Sequence, residues 1–267
     1  FQQTLTVSDN YNLARYGELS LSSGGRLIQP TDRFPVGEMS LALQRKNELN
    51  TLTMDDARTG QNREPLAFLV EDSGKLRPPR VGDSVLAVKG LISEGFGRYR
   101  LLPNKQPQFL ANNPRPDNPA PVQQNELRVA SFNLYNYFNG NGLGGGFPTA
   151  RGAKNVLEFS RQRAKTLAAL AAMNADVFAL LEMENDGDQS GSAIQDLLLG
   201  LKQRGLDYQS VPYDRARLGS DQISVAMIYK PSRIGLLGDA AVLNSEADAE
   251  FLDQLNRPSL AQSFKVK

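Results

Sequence analysis

Apolar and polar residues alternate with period two over Leu5-Thr6-Val7 and again from Tyr16 to Ser22, where the run stops at Ser23-Gly24-Gly25. Such alternation marks half-buried strands ending in turns. Arg26 to Pro30 resumes extended, and Met39 to Asn50, with Leu41, Leu43 and Leu49 among polar residues, is the one helical patch before residue 111. Leu52 to Asp56 predicts another strand. Val81 to Ile92 and Arg98 to Pro103 flank a turn at Gly95-Phe96-Gly97 and predict a long hairpin. Short strands broken by glycine predict a small curved β-barrel over 1–111, for which the OB-fold is the natural candidate.

The pattern changes at Asn112–Gln124, where Pro114, Pro116, Pro119 and Pro121 stand among Asn and Gln. That composition predicts a semi-rigid extended linker, placed at 112–126, with a second domain over 127–267. This domain opens with an apolar strand, Leu127 to Phe132, ending on Asn133. A glycine-rich loop, Asn139 to Gly146, follows and reads as a mobile surface segment. A helix over Val156–Met173 carries Phe159, Leu167, Leu170 and Ala171 on one face, with Arg161, Arg163 and Lys165 assigned to the other. The chain then returns as Asp176 to Leu181, ending on Glu182. Strand, crossover helix and strand form one layered α/β unit. Further on, Ser192 predicts the cap of a helix through Leu201, and Tyr208–Pro212 and Ile223–Tyr229 read as strands.

Adjacent strands ending on Asn133 and Glu182 set an amide beside a carboxylate. Hard divalent cations such as Mg²⁺ prefer oxygen ligands and keep several waters, so the pair is a candidate metal seat. The plainer reading is a strand-capping Asn and an ordinary exposed acid. The acidic loop Glu184-Asn185-Asp186-Gly187-Asp188 follows, without the spacing or closing Glu of an EF-hand. In the N-terminal domain Tyr11, Arg15, Tyr16, Arg98, Tyr99 and Arg100 are the residue types with which OB-folds hold single strands. The alternative is tyrosines filling the barrel and arginines solubilising it.

Composition narrows this picture. The 267 residues carry 30 Lys and Arg against 29 Asp and Glu, so any nucleic-acid site must be a local patch and not a global field. No apolar run is long enough to span a bilayer. There is no cysteine, which excludes disulfides and thiolate metal sites, and no histidine. The first residues show no leader pattern, and the chain reads as a piece of a longer protein.

The segments "ASFNLYNYF" and "RQRAKTLAALAAMNADVFALLEMEND" resemble the endonuclease/exonuclease/phosphatase superfamily, most nearly its secreted bacterial ExeM/NucH-type nucleases. The resemblance implies an α+β chain in which an OB-like barrel precedes a DNase I-like four-layer α/β sandwich, present here as its N-terminal half. It implies Asn133 and Glu182 as metal-site and catalytic residues. Glu184 and Asn185, from an "E-x-E-N" signature, are second choices, and Asp221 in "SDQISVAMIYKP" stands at the rim. The implied cofactor is Mg²⁺, with Ca²⁺ or Mn²⁺ as alternatives. The implied substrate is DNA, with RNA as an alternative, cut without sequence preference outside the bacterial cell. Arg161, Arg163, Tyr16, Arg98, Tyr99 and Arg100 are weaker candidates for holding nucleic acid.

The superfamily also uses histidines and an Asp-x-Asn pair to activate water and stabilise the phosphate oxygens. The sequence contains no histidine for those roles. The expectation is therefore that this stretch is inactive alone and is completed by a histidine-bearing C-terminal half. Two alternatives stay open: a non-catalytic nucleic-acid-binding module, and a phosphoesterase of the same superfamily acting on a lipid or inositol phosphate.

Overall fold

A computed structural model describes residues 1–116, 118–123, 125–214 and 217–267. Asp117 and Gln124 of the expected linker lie outside the described residues. The fold is mixed α+β, mostly sheet with few helices. It divides into two compact units, Phe1–Arg115 and Pro116–Lys267, a division that falls inside the proline-rich stretch.

The first unit runs β1 (Leu5–Asp9), α1 (Leu13–Tyr16), β2 (Glu18–Ser22), α2 (Pro30–Arg33), α3 (Glu38–Leu49), β3 (Thr51–Asp55), β4 (Val70–Asp72) and β5 (Lys75–Arg77). It continues through β6 (Ser84–Leu86), β7 (Gly90–Gly95), β8 (Arg98–Pro103) and β9 (Gln108–Leu110). Seven strands form one sheet in the order β7-β8-β3-β2-β1-β6-β9. Leu5 and Val7, Leu19 and Leu21, Met54, Val85 and Leu101 point to one side and are buried together. Burying each such side chain contributes about 1.5–3 kcal/mol.

Three expectations are corrected here. No pairing joins β7 to β9 among the described residues, so the sheet is open and not a closed barrel. The long strand expected over Val81–Ile92 is broken at Ala87, whose φ is +41°; β6 pairs with β1 and β9, and only β7 makes the hairpin with β8. Tyr16 ends α1 instead of starting β2. The helix closes on Gly17, whose N–H donates to the Leu13 carbonyl at φ +74°.

The second unit runs β10 (Val129–Tyr137), α4 (Val156–Met173), β11 (Val177–Glu184), α5 (Ala193–Lys202), β12 (Gln209–Ser210), β13 (Ile223–Tyr229), β14 (Ile234–Leu243) and β15 (Ser259–Val266). β10, α4 and β11 make the strand–crossover–strand unit, its strands parallel with Val129 opposite Val177 and Asn133 opposite Leu181. β13 and β12 extend the sheet antiparallel. Successive residues of a strand face opposite sides, and β11 shows it. Phe178 and Leu180 pack with Leu167 and Leu170 of α4 and Leu197 and Leu201 of α5. Val177 instead joins Tyr229, Ile234 and Phe264 beneath the β14–β15 hairpin.

The start of α4 follows from its sequence: the Asn155 side chain accepts from the Glu158 N–H at 2.9 Å, while the Glu158 carboxylate accepts from the Lys154 N–H. At its other end Asn174 takes the left-handed conformation, φ +46°, one that Asn tolerates better than most residues. β10 is an edge strand of its sheet.

Candidate metal centre

β10 and β11 are regular until Asn133 and Leu181, and then both bulge. The β10–β11 register shifts between Asn133 and Tyr137, and the β11–β13 register shifts between Leu180 and Met183. Three non-glycine residues in these bulges have left-handed backbones: Tyr135 at φ +58°, Asn136 at +53° and Glu182 at +60°. Each costs on the order of 1–3 kcal/mol, and bulges of this kind re-aim side chains at sheet ends.

The bulges bring Asn133 and Glu182 together. Asn133 Nδ2 donates to Glu182 Oε1 at 2.9 Å. Asn133 Oδ1 accepts from the Tyr135 N–H at 2.8 Å, and Glu182 Oε2 accepts from the Asn136 N–H at 3.1 Å. Gln162 of α4 fixes the bulge from behind, its Nε2 donating to the carbonyls of Leu134 at 3.0 Å and Tyr135 at 2.8 Å. The amide oxygen and both carboxylate oxygens keep acceptor capacity beyond these bonds. Two protein oxygens on a solvent-facing edge fit a cation that retains most of its water, as Mg²⁺ does. Among the described residues no three Asp, Glu, His or Cys side chains converge as a metal-binding group.

Glu184, two residues on, lies in the same bend but in a different setting. Its carboxylate accepts from the Asn139 N–H at 3.3 Å. Burial, and then the charge of Asp186, push its carboxyl up to about 7. Burial likewise raises Asp186, against the N–H of Ala193 and the charge of Arg217. Asn185 is buried with its amide fully engaged. Nδ2 donates to the carbonyls of Leu218 and Asp221, and Oδ1 accepts from the Leu218 N–H. It therefore acts by clamping the loop that carries Asp221. The Asp221 carboxylate is held between Arg151 at 2.9 Å and Arg257 at 2.8 Å. It borders a cavity of 560 Å³ that Asn133 and Glu182 do not line.

Two of the weaker candidates are differently disposed from what the sequence pattern suggested. Arg163 does not share a solvated face with Arg161. Spaced four residues from both Phe159 and Leu167, it falls on the inward stripe of α4, and its Nε donates to Asp196 of α5 at 2.8 Å. The same carboxylate accepts from the Tyr137 hydroxyl at 2.7 Å. Arg100 is likewise engaged, with Asp55 at 2.6 Å and Glu18 at 3.0 Å. Arg161, Arg98 and Tyr99 are exposed, and Tyr16 lies partly open beneath the Arg15 guanidinium, 5.1 Å from its ring centre.

The glycine-rich loop, expected as a surface segment, is hydrogen-bonded within itself and packs closely against Gly191. Asn141 Oδ1 accepts from the N–H groups of Leu143 and Gly145. Gly142, at φ +70°, packs so closely that a Cβ there would meet the Gly191 carbonyl at 2.3 Å. The sequence reading also passed over Asn136 and Gln162. Asn at the third position after Asn133 was the available signal, since Asn accepts the left-handed backbone more readily than most residues.

A scan against protein-family models gives no match to this chain, and a search of curated proteins finds no similar sequence.

Proposed function

We propose that this chain carries the metal-binding part of a divalent-metal-dependent extracellular nuclease of the endonuclease/exonuclease/phosphatase superfamily. It would hydrolyse phosphodiesters of DNA, or of RNA, with little sequence preference. The observation that supports this reading is the Asn133–Glu182 pair at facing bulges of two parallel neighbouring strands, held on strained backbone. Strain of this kind persists where surrounding structure over-determines it, and it clusters at functional sites. A Mg²⁺ held by Asn133 Oδ1 and the Glu182 carboxylate would supply charge to a substrate phosphate and orient water. The chain's own contribution is positional: the N–H groups of Tyr135 and Asn136 fix the two ligands, and Gln162 fixes the bulge that presents them.

In the same reading the first unit is an OB-like module that helps hold single strands, with Arg98 and Tyr99 open to them. Its strand order supports this. The parallel pairing of β3 with β8 joins the β7–β8 hairpin to the rest of the sheet, and β6 and β7 are separated by only three residues, Ala87–Lys89. The second unit would be the first half of a DNase I-like sandwich. One observation favours the non-catalytic alternative: the sequence holds no histidine to act as base, and among the described residues no three Asp, Glu, His or Cys side chains converge.

The test is nicking of supercoiled plasmid by the intact protein that contains this chain. Nicking in Mg²⁺ that is lost in EDTA and in Glu182→Gln, with the fold retained, is the expected result. Nicking unchanged in Glu182→Gln overturns the site assignment. DNA binding with no nicking under any metal selects the non-catalytic reading.

A further inference from the structure

A second set of oxygens stands one turn of chain beyond the strand-end pair and is more enclosed. Asn139 is 4% exposed and Ser192 is 1% exposed, yet Asn139 Oδ1 and Ser192 Oγ have no hydrogen-bond partner. The orientation of the Asn139 amide is fixed, because Nδ2 donates to the Gly191 carbonyl at 2.8 Å. The orphan atom is therefore an acceptor. Leaving a buried polar atom unsatisfied costs about 1–3 kcal/mol, and native structures rarely leave two together without a water or an ion.

The neighbours of these atoms are acceptors too. The Asn139 N–H reaches the Glu184 carboxylate, which places that acid against the residue bearing the orphan oxygen. Ser192 is the residue between Gly191, whose carbonyl takes the Asn139 amide, and Ala193, whose N–H donates to the Asp186 carboxylate at 3.1 Å. Ser192 stands at the N-cap position of α5 but makes no side-chain cap bond; the Asp186 carboxylate receives the helix N–H in its place and offsets the partial positive charge of the helix end. Two carboxylates thus bond to the backbone of Asn139 and of Ala193, the residue after Ser192, while the buried Asn139 amide oxygen and Ser192 hydroxyl stay unpartnered.

We propose that Glu184, Asp186, Asn139 Oδ1 and Ser192 Oγ form a structural site for a hard divalent cation of the Ca²⁺ class. The site pins the glycine-rich loop and the start of α5 to the end of β11. A cation satisfies all four groups at once. The enclosed, protein-rich oxygen set favours Ca²⁺, which accepts 6–8 oxygens in flexible geometry, over Mg²⁺, which dehydrates reluctantly. The site is distinct from the Asn133–Glu182 pair and does not depend on the nuclease reading.

The test is Ca²⁺ titration by calorimetry, with thermal unfolding in Ca²⁺ and in EDTA. The wild-type chain is expected to bind Ca²⁺ and to melt higher in its presence, as mass action requires. Glu184→Gln should weaken that binding at least about tenfold, since ligand charge sets the affinity of such sites, while Glu182→Gln leaves it intact. Asn139→Asp, which keeps an oxygen at the orphan position, should retain binding, with circular dichroism reporting that each variant is folded. No Ca²⁺ binding by the folded wild type, or equal binding by Glu184→Gln, overturns the proposal. Loss in Glu182→Gln and not in Glu184→Gln assigns the ion to the strand ends and also overturns it.

Discussion

Glu182 offers a way to separate strain from chemistry, because its carboxylate and its backbone carry different costs. The side chain accepts from Asn133 Nδ2 and the Asn136 N–H at an edge open to solvent, where each bond contributes near the lower end of about 0.5–1.5 kcal/mol. The backbone sits at φ +60°, which for a residue with a Cβ costs about 1–2 kcal/mol relative to the right-handed region. Glu182→Ala loses the bonds and keeps the strain, so it should destabilise the second unit by roughly 1–2 kcal/mol. Glu182→Gly loses the same bonds but releases the strain. Even after about 0.5–1 kcal/mol for glycine's greater freedom when unfolded, it should be no less stable than Glu182→Ala and close to wild type. Urea unfolding followed by circular dichroism, with amide exchange on β11 to assign the transition to this unit, measures the difference. Both variants should lose metal binding at the Asn133–Glu182 pair. A Glu182→Gly protein clearly less stable than Glu182→Ala would refute the claim that the bulge is held under strain.

In the first unit Asp83 has no exposed side-chain surface and pairs with Arg77 at 2.6 Å. Burial opposes its ionisation, but the Arg77 guanidinium and the N–H groups of Arg80 and Asn113 hold its carboxyl below the ordinary value. A carboxyl held low stabilises the fold fully above the unfolded value, near ~4, and loses that contribution as pH falls through the folded value. Asp83→Asn should therefore flatten the acid limb of the unit's stability profile and cost about 3–5 kcal/mol at neutral pH, as removal of one partner of a buried pair does; an unchanged acid limb in urea melts from pH 2 to 7 would contradict this. In the glycine-rich loop, Gly142→Ala should destabilise the Gly191 contact by more than Gly144→Ala. The first places a Cβ 2.3 Å from a carbonyl, whereas the second, also left-handed, meets nothing within 4 Å. Amide exchange at the start of α5 compares them, and equal protection would count against the packing described.

Much of the second unit was legible because its elements are long and their periods clean. α4 spans the expected Val156–Met173, and Asn133 and Glu182 are hydrogen-bonded neighbours on parallel strands, although β10 and β11 continue past them to Tyr137 and Glu184 instead of ending there. What periodicity could not show were the places where backbone departs from it. The break at Ala87 turned one expected strand into two with different partners, since no residue type there announces a positive φ. Arg163 was assigned to the solvent face by its charge, although its spacing from Phe159 and Leu167 points inward, toward Asp196. The glycine-rich loop packs through close approaches that only glycine permits, which its composition alone could not show. Asn185 and Asn139 are buried polar residues whose roles depend on partners about 30 to 50 positions away.

The central claim is that Asn133 and Glu182 form a metal seat, and Mn²⁺ binding followed by electron paramagnetic resonance tests it most directly. Mn²⁺ is spectroscopically visible and accepts the same oxygen ligands as Mg²⁺. The account predicts a Mn²⁺ site that is lost in both Glu182→Gln and Asn133→Leu and retained in Glu184→Gln. A Mn²⁺ titration identical for wild type and Glu182→Gln would contradict it, leaving the strained strand ends without the function proposed for them.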